Sequence, residues 1–198
     1  MGSGSRAGVG WVATGMERAG YTVSGPMRLL RHDLLAGRRV ALSGSVDSSV
    51  AELLAHLGAS LDAADEAPHA LVHDAGDAFG AGGEGGLAAA LQDTWDAVAS
   101  TAAESMIPAG RGGKVVLIAP RSGAGRYADA ARAGLENLTR TLSIEWARHG
   151  ITVTAIAPGR ATREEDVALL VAFLVSGAGG YYSGCRFELG AVEPPIGA

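Results

Sequence analysis

The chain has little of several things that would each have given it away. Its single cysteine, Cys185, excludes an intramolecular disulfide and fits a reducing compartment. Aromatic residues make up 5% and charged residues 19%, with a net charge of −5. No basic excess or basic stripe is present to hold nucleic acid, so that partner class is excluded. The longest apolar run, VALLVAFLV (167–175), is far too short for a membrane span. The amino terminus lacks the basic-then-apolar layout of a secretory leader. His56 and His69 have no companions at metal-ligand spacing, so no metal site is expected. What is present is a globular composition: 47% of the 198 residues are hydrophobic, enough for one domain spanning 1–198 in the cytoplasm. The glycines, 30 in all, carry information by position rather than number.

Strand-like and helix-like segments alternate along the chain. GYTVSG (20–25), RRVALSG (38–44), HALVHDAG (69–76), KVVLIAP (114–120), ITVTAIAPG (151–159) and CRFEL (185–189) read as strands. The helix of 47–58 puts Val50, Leu54 and Leu57 on one face and opens with the capping-box spacing Ser49-x-x-Glu52. A glycine-rich loop (80–86) leads to a helix from about Asp93 to Met106, with Trp95, Val98 and Ala102 inward. A long helix runs from about Ala128 to His149, and Thr162-x-x-Glu165 caps another over 163–175. This order predicts βαβ units and a doubly wound, Rossmann-like α/β parallel sheet.

At the amino terminus, GSRAGVG places Gly4, Gly8 and Gly10 ahead of a helical stretch, a spacing that lets backbone approach a pyrophosphate. His73-Asp74-Ala75-Gly76 ends the third strand, and AGLENLTRTLSIEWARHGITVTAIAPG (133–159) and FLVSGAGGYYSGCRFELG (173–190) follow in order. On these segments the chain resembles the short-chain dehydrogenase/reductase family, close to its 3-oxoacyl-reductase-like members. The resemblance covers nearly the whole chain. It implies a dinucleotide site at Gly4, Arg6, Gly8, Gly10, Ala75, Gly76, Pro158 and Gly159. Arg6 matches the basic residue that NADP-preferring members place against the 2′-phosphate.

The departures fall where the family does its chemistry. Anchored on Ala133-Gly134, the family's lysine position is Arg132 and its tyrosine position is Ala128; the serine position is Pro120 and the asparagine position Ala102. The nearest substitutes are Tyr127, Arg132 and Ser122. Five residues of helix separate Tyr127 and Arg132 by roughly 140°, so the two point apart if both are helical. Arginine keeps the charge of lysine but needs different space. His73 and Asp74 are adjacent strand residues and face opposite sides, so they should not cooperate. The strand that precedes the glycine turn is expected to be missing, and the substrate lid after Pro158-Gly159 is missing or truncated. Cys185 is expected to be buried and inert.

These readings imply a degenerate member that binds no cofactor or only weak NADP(H). It would act as a non-catalytic subunit beside an active paralogue, or as a homo-oligomer, in acyl or polyketide-type metabolism. Alternatives are an atypical NADP-dependent oxidoreductase, or a non-redox cyclase or isomerase reusing the pocket. Leu135, Leu138, Leu142 and Trp146 on one helix are expected to exceed what the core can take and to leave an apolar patch for a partner.

Overall fold

A computed structural model of the protein describes residues 30–61 and 66–190. The strand expected at 20–25 and the GSRAGVG loop lie outside the described residues. Five strands form one parallel sheet in chain order: β1 Val40–Gly44, β2 Ala70–Asp74, β3 Gly113–Ile118, β4 Ile151–Pro158 and β5 Cys185–Leu189. Between them run α1 Ser48–His56, α2 Gly76–Phe79, α3 Gly83–Thr101, α4 Ala128–Glu145 and α5 Glu164–Val175. Helix α3 continues through a π turn, Ala102–Met106, into a final turn, Ile107–Ala109.

The period-two geometry of a strand divides the apolar residues between two cores. Val116 and Ile118 of β3 join Val72 and Ile156 beneath α1 and α5, packing on Val50, Leu54, Val171 and Leu174. Val115 and Leu117 point the other way, with Leu71 and Val153, beneath α3 and α4, where Val98, Leu135 and Leu142 meet them. Both faces of the central strands are therefore covered, which is why β3 and β4 are almost continuously apolar. The doubly wound α/β sheet is the architecture the alternation predicts.

Outside β1, Ser60 forms a one-residue parallel bridge with Arg39. Val40 donates to the Ser60 carbonyl at 2.9 Å and Ser60 donates to that of Arg38 at 2.8 Å. Among the described residues, β1 has no further neighbour on that side.

Several local expectations are corrected. Helix α1 starts at Ser48 under an Asp47 cap, so Ser49 lies within the first turn and Glu52 beyond it, and the two do not bracket the helix start. Helix α3 begins at Gly83, not near Asp93; Gly86 permits close packing, for a Cβ there would collide with the Phe79 carbonyl. Tertiary contact here overrides the low helix propensity of glycine. Trp95 is 45% exposed on α3, whereas Val98 and Ala102 are buried as expected. Arg163, not Thr162, precedes α5, and no side chain caps that helix. Strand β5 is half-buried at the sheet edge, and Cys185 with it. On α4, Leu135 and Leu142 are buried and Leu138 and Trp146 pack against the same core, so those four residues leave no free patch.

Candidate functional site

Every strand of a parallel sheet points its carboxyl end the same way, and helices that follow the strands start there with free amides. In this chain those ends frame a cleft of about 330 Å³ lined by Ser45, Asp74, Asp77, Pro120, Arg121 and Glu164, with Gly76, Ile118 and Pro158 among its walls.

The turn from β1 into α1 passes through Gly44, whose φ of +72° favours glycine, and a Cβ there would collide with the Asp74 carbonyl. The following residues supply carboxylate. Asp47 accepts the Ser49 amide at 2.9 Å, and hydrogen bonding from Ser49 holds its carboxyl below the ordinary range. Asp74, at the end of β2, accepts the Gly76 amide at 2.7 Å at the start of α2. Burial pushes the Asp74 carboxyl up from 3.8 to about 6; the Gly76 bond opposes the shift, and the nearby Glu164 adds to it. Ser45 donates to Asp77 at 2.8 Å.

Arg121 is the cleft's cation. It donates to the carbonyls of Thr162 at 2.6 Å and Gly159 at 3.2 Å and pairs with Glu164. It thereby straps residues 159–163, the short link between β4 and α5, against the end of β3. Thr162 reinforces the strap, accepting the Gly159 amide at 2.8 Å and donating to the Leu189 carbonyl.

The residues singled out from the sequence are not brought together. Arg132 is buried, 7% exposed, and donates to the carbonyls of Pro158 at 2.7 Å, Pro120 at 2.9 Å and Ala157 at 3.4 Å. Its nearest carboxylate, Glu188, is 3.9 Å away, so its partners are mainly strand-end carbonyls. Tyr127 is not helical: it stands ahead of α4 with φ of 71°, the one non-glycine residue in that region among the described residues. The helical-angle argument therefore does not apply to Tyr127. Its ring instead lies under the Arg126 guanidinium, 4.7 Å from it. Ser122 donates its amide to the Pro158 carbonyl at 3.0 Å.

Ala102 and Ala128 are buried in the core. Pro120, Gly76 and Pro158 reach the cleft, and Ala75 is buried beside it. Gly159 serves the strap, and Gly4, Arg6, Gly8 and Gly10 lie outside the described residues. His73 and Asp74 turn to different partners, as adjacent strand residues must. His73 is fully buried, with Nδ1 3.2 Å from Ser43 Oγ and Nε2 3.5 Å from the Asp93 carboxylate in a poor hydrogen-bond geometry. Burial lowers its pKa, which favours the neutral ring. Among the described residues no group of His, Cys, Asp and Glu could hold a metal ion. No helix among them is long and apolar enough to cross a membrane.

Ser45, Asp77, Arg121 and Glu164 were missed by sequence reasoning. The available signal was SGSVD (43–47), a strand running through one glycine into a helix, but a single glycine does not match a three-glycine motif.

Residues 96–165 match the sequence model of the family described as "short chain dehydrogenase". The resemblance is to the short chain dehydrogenases. An uncharacterized oxidoreductase of Mycobacterium tuberculosis is 32% identical over 124 residues, covering 44% of this chain and 46% of that protein. A sorbitol dehydrogenase of Cereibacter sphaeroides is 41% identical over 63 residues, 29% of this chain and 24% of that protein. The chain thus spans about half the length, or less, of these relatives. The citronellol catabolism dehydrogenase of Pseudomonas aeruginosa PAO1 superposes with a TM-score of 0.63 at 22% identity, covering 80% of this chain and 95% of that one. BdcA from E. coli gives the same TM-score of 0.63 at 18% identity, covering 79% and 100%. These two likenesses establish the fold.

A dinucleotide, which that family implies, fits the described residues poorly. Of the amides at the starts of α1 and α2 that could meet its phosphates, that of Ser49 is bonded to Asp47 and that of Gly76 to Asp74. Asp77 and Glu164 add further negative charge, with Arg121 alone among the lining residues to offset it. The lysine position holds an arginine committed to strand-end carbonyls.

Proposed function

We propose that the chain is a non-catalytic subunit of short chain dehydrogenase type, which pairs with an active paralogue in acyl or polyketide-type metabolism. The observation that carries this reading is that Asp47 and Asp74 already accept amides at the starts of α1 and α2, which leaves fewer donors there for a cofactor's phosphates. Neighbouring anions at such short range repel strongly in a partly desolvated site. The residues Ala102, Pro120 and Ala128 bring no proton donor to the site. Trp95 on α3 and Ile144 on α4 remain 45% and 78% exposed, apolar surface that a partner subunit would cover.

Titration calorimetry with NADPH and NADH is expected to show no micromolar binding, and co-expression with an intact short chain dehydrogenase of the same organism to yield a stable mixed complex. Micromolar dinucleotide binding, or a monomer indifferent to every such paralogue, would sink the proposal.

One observation favours a second reading, a non-redox acid–base enzyme using the same cleft. The Asp74 carboxyl at about 6 changes protonation near neutral pH, where general acid–base catalysts work well. If this reading is right, Asp74→Asn abolishes turnover of the cognate substrate while leaving the fold intact.

A further inference from the structure

At the opposite end of the sheet a second, smaller cleft of about 240 Å³ opens between the starts of β2, β3 and β4. Its side chains include Arg38, His69, Arg111 and Lys114, and its remaining walls are four glycines and Thr152. Among the described residues, no carboxylate lines it. The Lys114 ammonium is removed from solvent and has no hydrogen-bond partner among the described residues. It lies against Gly180, where a Cβ would come within 3.4 Å of Nζ, so glycine at that position leaves the ammonium room. A desolvated ammonium without an anion is costly, and native proteins rarely keep one without a use for it.

The neighbouring groups add donors of the same sign. The Arg39 amide donates to His69 Nδ1 at 3.1 Å, which leaves Nε2 of the neutral ring to carry the proton. Burial, together with the nearby guanidiniums, holds the His69 pKa low. Arg111 spends one guanidinium nitrogen on the Ala67 carbonyl, and the Arg38 side chain forms no ion pair among the described residues. Glu66, the nearby acid among the described residues, is paired with Arg39 at 2.6 Å.

We infer that this cleft binds the phosphoryl group of a small molecule, held by Lys114, Arg111, Arg38 and the His69 Nε2–H. The volume suits a phosphate with a short substituent, and the donors match a dianion with three acceptor oxygens. The site is independent of the strand-end cleft, which lies at the far ends of the same strands, about 17 Å of strand away.

Calorimetry of the whole chain with inorganic phosphate at low ionic strength is expected to give a Kd below about 1 mM, with chloride at matched ionic strength giving no saturable heat. Lys114→Met and Arg38→Met should each weaken binding about tenfold or more, one charge-assisted contact being lost in each. Arg38 is exposed, so its replacement tests the site without touching the core. Asp62 and Asp65, which lie outside the described residues, provide the decisive control. Asp62→Asn and Asp65→Asn should leave phosphate affinity unchanged. Binding that appears only after one of these replacements would identify the cations' partner as internal and overturn the inference. So would phosphate binding equal to that of the parent in Lys114→Met or Arg38→Met, or no saturable phosphate binding at all.

Discussion

Replacing Arg132 separates a structural residue from a remnant of catalysis. The guanidinium is buried and spans the ends of two adjacent strands, bonded to Pro120 beyond β3 and to Pro158 in β4 at 2.9 and 2.7 Å. The contact to Ala157 at 3.4 Å is marginal, and the half-exposed Glu188 at 3.9 Å contributes little. Two sound charge-assisted bonds at about 1.5 kcal/mol each give about 3 kcal/mol for Arg132→Met, because the two carbonyls lose their donor in a partly dry site. Lysine can reach one carbonyl but cannot fork between two, so Arg132→Lys should cost about 1.5 kcal/mol. Urea unfolding followed by far-ultraviolet circular dichroism measures both. Against a total stability of about 5–15 kcal/mol these losses are large and readily resolved. If Arg132→Met and Arg132→Lys both unfold within about 0.5 kcal/mol of the parent, the strand-end clamp is not a stabilising feature and the residue must be kept for another reason.

Asp74 gives a pH signature. Its carboxyl titrates near 6 in the folded chain against 3.8 as the ordinary value, so the folded state favours the protonated form. That contribution is fully present below about pH 4 and is lost as pH rises through about 6; at pH 7 Asp74→Asn should therefore be more stable than the parent by up to about 3 kcal/mol, with the gap closing below about pH 4. Unfolding curves taken from pH 4 to 8 check this, and a pH-independent gap contradicts it. Tyr127, with φ of 71°, should tolerate glycine within about 0.5 kcal/mol but lose about 1–2 kcal/mol when replaced by valine, whose β-branch resists that conformation. Equal midpoints for Tyr127→Gly and Tyr127→Val in thermal melts would rule out the strain argument.

The parts of the fold legible in the sequence are those where burial alone fixes the pattern. KVVLIAP and ITVTAIAPG are apolar on both faces because both faces are covered, whereas the packing of Leu135, Leu138, Leu142 and Trp146 against one core ran against the expected apolar patch. Where a residue type serves a neighbour and not its own element, the reading fails. Gly86 looks like a loop residue, yet it is helical because α3 passes close to α2 at Phe79. Thr162 looks like a cap, yet its hydroxyl holds Gly159 and Leu189 together.

The same distinction governs the cleft. Arg121 and Glu164 are 43 residues apart, and no local spacing joins them. Asp74 could be seen to face away from His73, but its raised pKa depends on burial that only the assembled strand ends create. The family's wording was strongest in 133–159, which builds α4 and β4, and it therefore announced the scaffold more clearly than the site.

Helix starts at the carboxyl ends of a parallel sheet carry unpaired amides whether or not a ligand is bound, and something negative must meet them. A nucleotide-binding fold leaves that task to the ligand's phosphates, which is why its turn is rich in glycine and poor in side chains. Here Asp47 and Asp74 meet it from within the chain. Among the described residues, β1 therefore runs into α1 through one glycine, Gly44, with Asp47 closing the turn on the Ser49 amide. Arg132 follows the same logic at the ends of β3 and β4, supplying a fixed cation to carbonyls that would otherwise face the cleft. At two helix starts and two strand ends, side chains of the chain itself thus meet the free backbone groups: Asp47 and Asp74 the amides, Arg132 the carbonyls.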